Sequence, residues 1–82
     1  MTIYVVQGST GEYSDHIEWL VKAYADEKQA QTHVVLAQAR ANELYAGVPR
    51  YYDIKGKNEH DPEMQTDYTG THYALLEVEY QP

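Results

Sequence analysis

The chain has 82 residues, 13 acidic against 6 basic side chains, a net charge of −7 and no cysteine. One domain with a thin core is expected, and disulfides and thiolate metal sites are excluded. The negative field disfavours nucleic acid and anionic membrane and favours basic proteins, and no apolar run approaches the ~18 residues of a membrane span.

The opening MTIYVVQGSTGEYSD has no basic head and no long apolar stretch, so no signal peptide is expected and the cytoplasm is the expected compartment. Thr2 to Gln7 is a β-rich run that Gly8 should end. Ile3 and Val5 point one way, Tyr4 and Val6 the other, so this strand has two apolar faces and should be central. Residues 8–15, GSTGEYSD, are dense in turn formers. His16 to Tyr24 alternates, with Ile17, Trp19, Val21 and Ala23 on one face and Glu18, Leu20 and Lys22 on the other, as a half-exposed strand does.

Asp26 to Tyr45 reads as a helix. Asp26 is a good N-cap and Gln29 completes a capping box. Ala30, Val34, Ala37, Ala41, Leu44 and Val48 form one stripe, and Gly47 and Pro49 stop the helix. Residues 49–71 mix Pro, Gly, Asn and charge, and are expected to be a short extension of the helical part plus turns, or a functional loop. His72 to Tyr80 alternates again, with Ala74, Leu76, Val78 and Tyr80 opposite Tyr73, Leu75, Glu77 and Glu79.

The expected fold is α+β: a β-β-α-β chain, a mainly antiparallel sheet in the order 2-1-3, and the helix on one face. The face away from the helix should then carry Tyr4, Val6, Leu20, Tyr24, Tyr73 and Leu75. That is more apolar surface than soluble monomers tolerate, so a homodimer through this face is expected. The edges of strands two and three should also invite pairing. The 49–71 segment, with Pro49, Gly56, Pro62 and the charges between them, makes a poor lid.

No nucleophile beside a base and no G-x-S-x-G elbow is present, so no catalytic residue and no cofactor are assigned. GSTG at 8–11 superficially resembles a phosphate cradle, but it should join two strands, and Glu12 and Asp15 repel phosphate. Asp15, His16, Asp67 and His72 should lie near one sheet end. As an alternative they would suit Zn²⁺ or Mn²⁺, although no H-x-x-x-H or H-x-H pair supports a metal. His33 reads as a helix-flank residue, and Tyr51 and Tyr52 as core lids. The two polar loops should meet at that sheet end and tie each other through local hydrogen bonds. The residues expected to engage a basic partner are Glu12, Asp15, Asp53, Glu59, Asp61, Glu63 and Asp67, with Tyr13 and Tyr68 as aromatic anchors.

The segments YVVQGSTGEYSD at 4–15, EW at 18–19 and DPEMQTDYTGTHY at 61–73 resemble small accessory proteins of tailed phages and prophages, a group with no agreed activity. The likeness runs through nearly the whole chain. It implies a bacterial host cytoplasm. By size, charge and origin it also implies a non-enzymatic inhibitor of the anti-CRISPR kind, whose basic partner would be a CRISPR or other nucleic-acid-handling defence complex. A minor structural or assembly role in the virion is the other role this context implies.

Overall fold

The computed structural model describes residues 1–47, 54 and 56–81. Strand β1 (Thr2–Thr10) runs three residues beyond the expected last residue, Gln7. A 3-10 turn (Tyr13–Asp15) leads into β2 (Ile17–Tyr24), then α1 (Glu27–Ala46) and β3 (Thr71–Glu79). The sheet order is β2-β1-β3, and β1 is antiparallel to both neighbours. This is the α+β arrangement anticipated from the strand and helix periodicities.

Gly8 does not end β1, because it is needed inside the strand. A Cβ there would stand 2.5 Å from the indole of Trp19, its cross-strand partner. The missing side chain lets the indole lie flat across the sheet.

Asp26 caps α1 as expected, its Oδ1 accepting from the Lys28 and Gln29 amides at 2.8 and 3.3 Å. Ala30, Ala37 and Ala41 are buried, with Val34 and Leu44 packed beside them. These small residues let the helix sit close to the sheet, and it leans mainly on β3 and β1. Val48, also assigned to the stripe, lies outside the described residues, as do Tyr51, Tyr52 and Asp53.

The assignment of sheet faces is corrected. Val6 and Tyr73 are buried under the helix, and Tyr4, Tyr24 and Leu75 pack against the same core. Of the six residues expected on the open face, Leu20 alone is there. Two physical facts explain the inversion. Both faces of β1 are apolar, so alternation could not choose between them. Moreover, β2 carries a bulge: Val6 pairs with Lys22 but Gln7 with Leu20, leaving Val21 as the extra residue. The bulge shifts the parity, so Trp19 and Tyr24, an odd number of positions apart, share one face. On the helix side the polar tips of Trp19, Tyr24 and Tyr73 find partners.

The open face is therefore Ile3, Val5, Leu20, Ala23, Ala74, Leu76 and Val78, brought together by the register. Among the described residues nothing covers it, and Leu20 is 69 % exposed.

Ile54 and the segment 56–70 cover the helix side instead. It advances by short turns: Lys57 N–H donates to Ile54 O, Asp61 N–H to Asn58 O, and Met64 N–H to Asp61 O. That spacing turns Ile54, Asn58, Asp61 and Met64 inward, and all four are buried. This part of the chain is a core layer made of turns rather than a free loop.

Candidate interaction site

Two polar clusters fix the fold around the sheet, and they decide which of the expected site residues reach solvent. The first surrounds Asp61, which is 1 % exposed. Its Oδ2 accepts the Trp19 indole N–H at 2.9 Å and the Tyr73 hydroxyl at 2.7 Å. Trp19 belongs to β2 and Tyr73 to β3, and both pair with Gly8 of β1. One carboxylate thus clamps the two outer strands over the glycine of the central one. Burial, the Asp61 hydrogen bond and the Asp61 charge hold the Tyr73 phenol well above its ordinary range, so it remains a donor. Beside it, the Asn58 side-chain amide donates to Ala37 O at 3.1 Å and its Oδ1 accepts from His60 N, fastening this segment to α1.

The second cluster ties the two loops at the end of the sheet. Asp67 Oδ1 accepts from the Thr69 hydroxyl, the Thr69 amide at 2.7 Å and the Thr10 hydroxyl at 3.2 Å. The Thr69 hydroxyl contributes most to holding the Asp67 carboxyl below its ordinary range. Thr10 Oγ1 also takes the Asp67 amide at 3.1 Å, and Gly11 N–H donates to Thr69 Oγ1 at 3.1 Å. The Tyr45 hydroxyl donates to Tyr68 O at 2.8 Å, joining the end of α1 to the same turn.

Beyond this tie the chain projects as a short tip. Gly11 takes φ +93°, and a Cβ on it would collide with the Asp15 carbonyl. The 3-10 turn closes with Asp15 N–H to Glu12 O and His16 N–H to Tyr13 O. Tyr13 itself holds φ +54°, an uncommon conformation for an aromatic residue, and is 94 % exposed. Glu12 and Asp15 flank it, both exposed, and Tyr68 on the adjoining loop is 62 % exposed.

The expected partner-binding residues therefore divide. Glu12, Tyr13 and Asp15 lie together at this tip, and Tyr68 is exposed on the loop tied to its base. Asp61 is a buried clamp and is withdrawn from the surface set. Asp67 is half-buried, with Oδ1 committed to the loop tie. Glu59 is exposed but paired with Arg40 at 3.1 Å, and Glu63 is exposed. Asp53 lies outside the described residues.

The alternative metal set is not brought together. Among the described residues no group of three His, Cys, Asp or Glu side chains is placed to hold a metal ion. His16 is engaged by Gly11 O at 3.1 Å and Glu18 at 3.3 Å, and Asp67 serves the loop tie. His72 lies on the open face opposite Ser9. His33 is a half-buried linker: its Nε2 lies 2.6 Å from His60 O and its Nδ1 2.8 Å from the Tyr24 hydroxyl. Among the described residues no helix is long and apolar enough to cross a membrane.

No family model matches the chain, and neither a curated protein nor a solved structure matches it.

Proposed function

We propose that this chain is a non-enzymatic binding module that engages a basic protein through the tip formed by Glu12, Tyr13 and Asp15, with Tyr68 on the loop tied to its base. The observation that carries this reading is Tyr13. A large aromatic side chain is held almost fully in solvent, on strained backbone, by a turn that is hydrogen-bonded at both ends. Such strain persists only where the surroundings enforce it, and it concentrates at working surfaces. The two flanking carboxylates steer a cationic partner towards the ring, which then supplies contact area at small entropic cost. The resemblance to phage accessory proteins implies a partner in a bacterial host cytoplasm, with a nucleic-acid-handling defence complex as the candidate and inhibition as the outcome.

Immobilised wild type and the variant Glu12→Gln/Tyr13→Ser/Asp15→Asn should be compared in bacterial lysate at low salt. The wild type is expected to retain a basic protein that the variant does not. Equal retention by both, or none by either, would remove this function.

We further propose that a second copy covers the open face, with Leu20 and Val5 at its centre. Leu20 is more exposed than large aliphatic side chains usually are in a solitary domain.

A further inference from the structure

A hollow of about 670 Å³ opens between β2, the first turns of α1 and the turn at 59–62, on the helix side of the sheet and outside the acidic tip. The β2 bulge creates its floor. On a regular strand, successive side chains leave by opposite faces. At the bulge Val21 and Lys22 both line the hollow. Lys28 from α1 lines it too, so two of the chain's six Lys and Arg residues converge where the molecule as a whole carries −7. Among the described residues neither lysine is ion-paired. Glu59, the one acid in the lining, is held by Arg40 at 3.1 Å.

The back wall is preorganised. His33 Nε2 faces a carbonyl, His60 O, and must carry the proton. Its Nδ1 lies 2.8 Å from the Tyr24 hydroxyl, which fixes the ring from its other side. The Lys22 ammonium lies 5.3 Å from the centre of the Tyr24 ring. Val21, Leu36 and Pro62 provide apolar wall. A few polar groups converging on apolar wall in a hollow of this size is what small-molecule sites are made of.

We propose that this hollow binds a small organic anion: a carboxylate or phosphate head between Lys22 and Lys28, carried on an aromatic or branched aliphatic body packed against Val21, Leu36 and Pro62. The site is independent of the acidic tip, whose loss would leave it unchanged.

Phenyl phosphate, benzoate and inorganic phosphate should be titrated into ¹⁵N-labelled protein, following the His33 ring nitrogens and the amides of Val21, Lys28 and Thr32. Saturable shifts are expected there with phenyl phosphate, benzoate or both. Two exposed ion pairs are lost in Lys22→Gln/Lys28→Gln, so its affinity should be weaker by up to roughly tenfold. Leu20→Glu, on the opposite face, should bind as the wild type does. Lack of saturation below about 10 mM with both organic probes would overturn the proposal. So would undiminished affinity in the lysine variant, shifts centred on the open face, or inorganic phosphate binding as tightly as phenyl phosphate.

Discussion

Asp61 is the residue on which the sheet depends most. Removing its carboxylate strands the half-buried Trp19 indole N–H and the buried Tyr73 hydroxyl, worth up to about 1–3 kcal/mol each when left unpaired. Asp61→Ala should lower stability by about 3 kcal/mol. Asp61→Asn keeps one acceptor oxygen and should lose less. In a domain with a total of roughly 5 kcal/mol, the alanine variant should show a large shift of its urea midpoint. Gly8→Ala approaches the same clamp from below. Its methyl would occupy the space of the indole, so Trp19 must move off Asp61. That change should destabilise by about 2 kcal/mol and shift the fluorescence of the single tryptophan to the red. A variant as stable as the wild type, with unshifted emission, would show that the indole does not need the glycine.

At the scale of elements, part of each sheet edge is blunted. On β3 the Gln38 side chain acts as a short surrogate strand: its Oε1 accepts from Tyr73 N–H at 2.8 Å and its Nε2 donates to Thr71 O at 2.9 Å. On β2 the bulge and Lys22 interrupt the edge, a common protection against pairing. Gln38→Ala should remove about 1–2 kcal/mol, measured by urea unfolding, and raise the tendency to aggregate. The loop tie adds a pH dependence. Asp67 titrates below its unfolded value in the folded protein. Its contribution is therefore complete above the ordinary aspartate value of about 4 and is lost as pH falls through the lower folded value. Asp67→Asn should lower stability at neutral pH and flatten the loss below about pH 4. An unchanged acid limb would remove Asp67 from the tie. The strands, the helix, its Asp26 cap and the sheet order were legible, because periodicity and capping are local signals. The β2 bulge was not, since one extra residue leaves no mark in an alternating pattern, and with it went the assignment of faces. Nor did local composition reveal Gln38, Asn58 or Asp61 as interior groups. Each has a partner 21 to 42 residues away in sequence, and Asp61 a second one 12 residues away.

For the whole molecule, surface charge and the open apolar face pull in different directions. Pairing two copies face to face buries Leu20, Val5 and Leu76 but doubles a charge of −7. Self-association should therefore strengthen with salt, which screens the repulsion without weakening apolar burial. Light scattering should give twice the chain mass for the wild type and one chain mass for Leu20→Glu. A wild-type mass of one chain at high salt and concentration would leave the face without a second copy. Partner binding at the tip should respond in the opposite sense, because there the carboxylates attract. The most direct test is the salt dependence of the dissociation constant between this chain and the basic protein it retains, measured for the wild type and for Glu12→Gln/Asp15→Asn. The tip account predicts that wild-type binding weakens steeply with added salt and that the variant binds less tightly with a shallower slope. Equal affinity and equal slope for the two proteins would contradict it.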